Sequence, residues 1–173
     1  MDNNFQIRKA TYNDLPDIAR IHVMSWQQTY VGQVPKEYLD SLNVEDRRRK
    51  WQESFDTENS KHSHLYVAHR NGVAVGFVSF GRGRDNDKAD WGEIYAIYLL
   101  QEAWGKGIGH ALFKIATKKL NEEGYKKLYI WVLNTNSNAI DAYLKWGGIL
   151  IKTCVKNLEI GGKAVKEIIV QFA

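Results

Sequence analysis

One stretch constrains this chain more than any other. Trp91 to Leu100 is apolar on both alternating faces, and Trp104-Gly105-Lys106-Gly107-Ile108-Gly109 follows almost at once. An amphipathic helix comes next, with Ile108, Ala111, Leu112, Ile115 and Leu120 on one face and Gly124 as a stop. A strand apolar on both faces is covered on both sides. Running it through glycines into a helix builds a strand–loop–helix unit, which places the chain among α/β or α+β single-sheet folds.

The remaining elements fit around that unit. Phe5 to Ala10 alternates as a half-buried strand. Thr11 stands three residues before Asp14, a start signal for a helix whose face carries Leu15, Ile18, Ala19, His22 and Trp26. An irregular stretch from Gln27 to Pro35 leads to a second helical region, predicted from Lys36 to Phe55. His64–Arg70 and Val73–Phe80 read as strands joined by the hairpin signal Asn71-Gly72. Gly81 to Asp90 is polar and reads as a loop. Leu128 to Leu133 is another apolar strand, and Asn134 to Asn138 can cap a helix carrying Ile140, Tyr143 and Leu144. Gly147-Gly148 ends that helix, and Ile149 to Phe172 reads as two strands joined near Gly161-Gly162.

Composition excludes several classes. Aromatic residues at 12% argue against disorder, and 14 Gly in no fixed period exclude collagen. No apolar run nears the ~20 residues that span a bilayer, and Met1 to Phe5 shows no signal segment. Cys154 is the only cysteine, so neither an intrachain disulfide nor a multi-cysteine metal site can form. With 173 residues and neither repeat nor linker, residues 1–173 read as a single domain. The expectation is a cytoplasmic protein without membrane or metal partners. His62 and His64 lack a nearby carboxylate or cysteine partner in sequence. The net charge of +4 fits attraction to a small polyanion without requiring nucleic acid. The basic run Arg47-Arg48-Arg49-Lys50 reads as the solvated face of a helix, with a phosphate-contacting patch as the alternative.

Glycines at a helix start let a ligand approach unpaired N–H groups at the positive end of the helix dipole. A tight strand-to-helix turn accounts for Gly105 to Gly109 equally well. Two named phosphate motifs fail, because Lys106 precedes Gly107 rather than Ser or Thr, and position 110 is His110 rather than glycine.

A third pattern fits better. Strand 93–100, the loop and the following helix resemble motif A of the GNAT superfamily of N-acetyltransferases, written Arg/Gln-x-x-Gly-x-Gly/Ala. Gly107 and Gly109 fill the glycine positions, while Trp104 replaces Arg or Gln and Gln101 stands where many members have Pro. Asn136 to Gly147 resembles motif B, Asn-x-x-Ala-x-x-x-Tyr-x-x-x-Gly-Phe, with Gly148 in place of the Phe. The opening Ile7 to Leu15 is also similar to GNAT starts. The resemblance implies a mixed, mostly antiparallel sheet of about seven strands flanked by about four helices. It also implies that the sheet is splayed between strands 93–100 and 128–134.

Acetyl-CoA, the implied co-substrate, would lie in that opening. Its pantetheine arm would pair with the main chain of Ile97, Tyr98 and Leu99. Its pyrophosphate would sit on the N–H groups from Gly105 through Lys106, Gly107, Ile108 and Gly109 to His110, next to Trp104. Asn136 would contact the pantetheine or thioester region. The implied reaction is direct acetyl transfer to a primary amine through a tetrahedral intermediate, with the Leu99 N–H as oxyanion donor. Motif B marks Tyr143 as general acid, where spacing alone reads a core tyrosine. Glu93, two residues before Tyr95 and so on its face, is the general-base candidate, or else a strand-end carboxylate facing water. Trp26 and Tyr30 are expected to wall the acceptor pocket, or to pack as ordinary core. His22 reads as a satisfied buried histidine. The leading expectation is an acetyltransferase for a small-molecule amine. A protein or peptide N-acetyltransferase, a non-catalytic CoA-binding module and a nucleic-acid-binding domain are the alternatives. Relatives of this kind often pair, so a homodimer is also an expectation.

Overall fold

The computed structural model describes residues 4–57 and 63–173; His62 lies outside them. Seven strands form one sheet: β1 (Phe5–Lys9), β2 (Ser63–Arg70), β3 (Val73–Arg82), β4 (Gly92–Leu99), β5 (Leu128–Leu133), β6 (Ile149–Ile160) and β7 (Lys163–Phe172). Their order is β1-β2-β3-β4-β5-β7-β6. Only the β4–β5 pair is parallel. The two predicted hairpins form as read. Arg70 faces Val73 across Asn71-Gly72, and Ile160 faces Lys163 across Gly161-Gly162. All four turn residues have positive φ, which glycine and asparagine tolerate best.

The helices are α1 (Leu15–Thr29), α2 (Lys36–Ser41), α3 (Val44–Asp56), α4 (Ile108–Glu122) and α5 (Ser137–Lys145). There are five rather than about four, because the region predicted as one helix from Lys36 breaks at Leu42 and Asn43. Both have extended backbones, and the Asn43 side chain accepts from the Asp46 N–H at 3.0 Å, capping a new helix. The start of α1 is held as Thr11 and Asp14 foretell. The Asp14 carboxylate accepts from the Thr11 N–H and hydroxyl and from both terminal nitrogens of Arg8. These bonds, the Arg8 pair foremost, hold its carboxyl well below the usual range.

Each sheet face has its own core. Leu15, Ile18 and Ile21 of α1 pack on Val67, Ala74 and Phe77. Ile108, Leu112, Phe113, Ala116 and Leu120 of α4 pack on Val78, Phe80, Ile94 and Leu128 on the other face. Phe113 and Ala116 take inner places, while Ala111 and Ile115 are half-buried. Gly148 is required by contact: a Cβ there would stand 2.4 Å from Val170 and 2.8 Å from the Tyr143 carbonyl. The aromatic ring in this region comes from Phe172, packed on Phe113 at 4.7 Å. The basic run 47–50 lies on α3, where Arg48 and Arg49 pair with Glu45 and Asp46 one turn back.

Candidate active site

The sheet opens where β4 leaves β5. Those strands pair only at Gly92↔Leu128 and Glu93↔Tyr129, while β4 stays on β3 to Leu99. The register skips between Ser79↔Ala96 and Phe80↔Ile94, so Tyr95 is the extra residue of a bulge. A bulge bends its strand and re-aims side chains. This one sits where the two strands part.

Alternation decides which amides face the gap. The Leu100 N–H bonds to Val75 on β3 at 2.9 Å, so Tyr98 also turns its amide to β3 and Ile97 and Leu99 turn theirs to the opening. This corrects one expectation: the Tyr98 main chain is spent on the sheet, and that residue contributes its side chain to the cavity. Trp104 donates its indole N–H to the Leu99 carbonyl at 3.2 Å. The unusual tryptophan therefore covers the rim of the gap.

The glycine loop lies beyond Trp104. Gly107 caps α4 with φ +78°, and a Cβ there would meet nothing within 4 Å. The loop is open above rather than packed, which a plain tight turn does not need. The N–H groups of Gly105, Lys106, Gly107, Ile108, Gly109 and His110 have no acceptor among the described residues; the first helical bond is Ala111 to Gly107. Six consecutive free donors at a helix start form an anion cradle.

A cavity of about 750 Å³ runs from this loop through the opening to the far end of β5 and β7. That volume suits a small ligand. Of the predicted cofactor residues, Ile97, Tyr98, Leu99, Trp104, Gly105, Gly107, Gly109, His110, Asn136 and Tyr143 line it. Lys106 and Ile108 do not. Lys106 is exposed outside the wall, and the Ile108 side chain is fully buried in the core. Asn136 caps α5 by accepting from the Ala139 N–H at 3.3 Å. Tyr143 points its ring into the same space from α5. Burial, and secondarily the nearby Tyr98, push its phenol well above the usual tyrosine range.

Trp26, Tyr30, Glu93 and Tyr95, the expected acceptor-side residues, also line the cavity. Trp26 and Tyr30 meet edge to face at 4.8 Å. The Trp26 indole N–H is buried without a hydrogen-bond partner among the described residues, beside the Tyr98 phenol. His22 is satisfied as a core residue. It accepts from the Trp51 indole N–H at 3.2 Å, and burial lowers its pKa to about 3.

Glu93 is not the water-facing carboxylate that sequence left open. Its side chain is 2% exposed. Arg84 binds it through Nη2 at 2.6 Å, Nε at 3.1 Å and the main-chain N–H at 2.9 Å, and the Tyr129 hydroxyl donates at 3.0 Å. Oε2 accepts three of these bonds and Oε1 one, so most of the carboxylate's acceptor capacity is taken up within the fold. Arg84 also stacks on Tyr95 at 4.3 Å. Glu93 thus serves as the anchor of the loop at 83–91.

Among the lining residues that sequence reading missed are Arg84, Trp131, Lys156 and Glu167. Trp131 donates to Asp85 at 2.8 Å, and Lys156 lies over its ring at 4.2 Å and 3.5 Å from Asp85. A signal existed for Glu167. It occupies an alternating position of β7 between Val165 and Ile169, where a strand facing the core calls for an apolar residue.

A parallel pair splayed in mid-sheet, with a glycine cradle at one end and a buried tyrosine beside the gap, defines an acetyl-CoA-dependent acyltransferase. The comparisons agree. Residues 20–148 match the acetyltransferase (GNAT) family, and the chain belongs to that family. It is 34% identical over 165 residues to the uncharacterized N-acetyltransferase YuaI of Bacillus subtilis, covering 94% of this chain and 89% of that one. It is 25% identical to a spermidine N(1)-acetyltransferase of Thermoplasma acidophilum, over 83% of this chain and 88% of that one. Its fold matches the PaiA N-acetyltransferase of the same organism, solved with coenzyme A, at TM-score 0.78 and 24% identity, covering 96% and 97% of the two chains. Among the described residues no cluster could hold a metal, and no helix is long and apolar enough to cross a membrane.

Proposed function

We propose that the cavity moves the acetyl group of acetyl-CoA directly onto the primary amine of a small molecule. The observation that carries this reading is the continuity of one cavity from the anion cradle, past Tyr143, to an aromatic-walled lobe. When bound, acetyl-CoA supplies an activated acyl thioester. The cradle from Gly105 to His110 would hold its phosphates, and the amides of Ile97 and Leu99 would hold its arm. The Leu99 N–H offers a donor for negative charge developing on the acyl oxygen. Tyr143 keeps its proton at neutral pH because of burial, and so has one to give to the departing sulfur. Holding both partners along one channel supplies much of the rate.

The amine lobe is walled by Trp26 of α1 and Tyr30 just after it, with Trp131 and Ile160 from the sheet. The spermidine-acetylating relative makes small alkylamines the first class to try. The test is thiol release from acetyl-CoA by the full chain, with and without a panel of alkylamines, amino sugars, amino acids and peptides. Release that depends on a small amine supports the reading. Release only with peptides would move the acceptor class, and none with any amine would overturn it.

A further inference from the structure

The mechanism above lacks a group to take the proton that the ammonium form of the amine must lose. Glu93 is neutralised by Arg84 and held by the Tyr129 hydroxyl. The charged side chains lining the cavity are Arg84, Glu93, Lys156 and Glu167. Arg84 is spent on Glu93, and Lys156 lies on Trp131 beside Asp85. Glu167 alone of the four forms no hydrogen bond or ion pair with a described side chain.

We propose that Glu167 binds the ammonium group of the acceptor and takes its proton before attack, a role that rests on the acetyltransferase reading above. Position supports it. Glu167 is opposite Leu133 on β5 and Lys156 on β6, and so shares their sheet face. That face packs beneath the end of α1, because Leu133 joins Tyr30, Val34 and Leu39 in one cluster with Trp26. Burial raises the phenols of Tyr30, Tyr98 and Tyr143 first of all, and the charge of Glu167 adds to the rise at Tyr30 and Tyr98. Glu167 and the protonated phenol of Tyr143 line one cavity, a pairing that can divide base and acid work.

The surroundings suit the task. Burial raises the Glu167 pKa first of all. Lys156 and Arg84 oppose that rise, and Glu93 and Asp85 add to it. A raised carboxylate holds a proton more firmly and is better matched to an amine at neutral pH. Trp26 and Tyr30 line the cavity with aromatic rings of the kind that attract a cation, while Lys156 already lies over Trp131. The fitting acceptor is therefore a primary alkylamine entering as its ammonium.

The proton balance closes. An ammonium, R–NH3+, and acetyl-CoA become R–NH–acetyl, CoA–SH and one released proton. An N–H bond breaks as Glu167 gains its O–H, and that proton leaves to water. As C–N forms and C–S breaks, Tyr143 protonates the sulfur. The second nitrogen proton then restores Tyr143.

The test is calorimetric titration of the CoA-saturated full chain with butylamine and with spermidine, for wild type, Glu167→Gln and Glu167→Asp. CoA affinity measured on each variant reports an intact fold. Expected is a loss of amine affinity of about tenfold or more in Glu167→Gln, the scale of a lost charged hydrogen bond. Glu167→Asp should recover part of it, and both variants should keep wild-type CoA affinity. Thiol release by Glu167→Gln should also lose the acid limb of its pH profile. Equal amine affinity in wild type and Glu167→Gln overturns the proposal. So does a loss that Glu167→Asp does not recover, which marks mere packing, and so does absence of amine binding to wild type. Amine binding that depends on Glu167 without any thiol release would leave the binding role standing and sink the acetyltransferase reading instead.

Discussion

At the scale of single residues, glycine carries two separate burdens here. Gly107 is fixed by its φ of +78°, since a Cβ there would touch nothing within 4 Å. A left-handed conformation costs a branched residue roughly 1–2 kcal/mol, and relaxing it would turn the N–H groups of the cradle away. Gly107→Val should therefore weaken acetyl-CoA binding while circular dichroism shows an intact fold; unchanged affinity would remove the loop from the site. Gly148 is fixed by contact instead. Gly148→Ala must push Val170 or the α5 backbone aside, at a cost of about 1–3 kcal/mol, read as a lower urea midpoint. Both glycines stood in recognisable motifs, but their reasons were not legible, because one lies in a torsion and the other in a neighbour from a distant strand.

Glu167 is also a residue-scale case. Its raised pKa means that the native state binds a proton more readily than the unfolded chain. Stability is then lost as pH rises from the ordinary glutamate value through the raised one. Glu167→Gln removes that loss. The variant should melt above wild type at pH 8 and no higher than wild type at pH 4. A wild-type melting curve at pH 8 would mean that the carboxylate is not desolvated.

Elements were legible where a local rule dictates them. The hairpins at Asn71-Gly72 and Gly161-Gly162, the covered strand before the glycine loop and the α4 helix all follow from turn chemistry or periodicity. The break between α2 and α3 was missed because Asn43 caps a helix inside a stretch that otherwise reads as continuous. The bulge at Tyr95 was missed because a register skip depends on the partner strand. The α1–α3 contact has a pH signature of its own. His22 stays neutral with a pKa near 3, through burial first and then Arg47 and Lys50. The unfolded chain takes up a proton near pH 6.5 that the native state refuses, so stability falls as pH drops from about 6.5 towards 3. Urea unfolding at pH 7 and pH 4.5 should show this fall, and His22→Gln should show less of it. An equal fall in both would place the acid sensitivity elsewhere.

For the whole molecule, the cofactor half of the site was far more legible than the acceptor half. Gly105 to His110, Asn136 and Tyr143 lie in two continuous segments whose spacing carries the resemblance. The proposed acceptor lobe joins Trp26 of α1, Tyr30 just after it, Arg84 of a polar loop, Trp131 of β5, Lys156 of β6 and Glu167 of β7. Only the assembled sheet brings these together. Glu93 shows the same limit: its position was read correctly, but its partners Arg84 and Tyr129 come from outside its own strand and occupy it.

The most direct measurement compares wild type with Tyr143→Phe for amine-dependent thiol release, with acetyl-CoA affinity measured on both. Loss of the buried phenol should lower turnover by about a hundredfold, the low end of general-acid effects, while acetyl-CoA binds nearly as before. Wild-type turnover in Tyr143→Phe would contradict a mechanism in which this cavity donates its proton through α5.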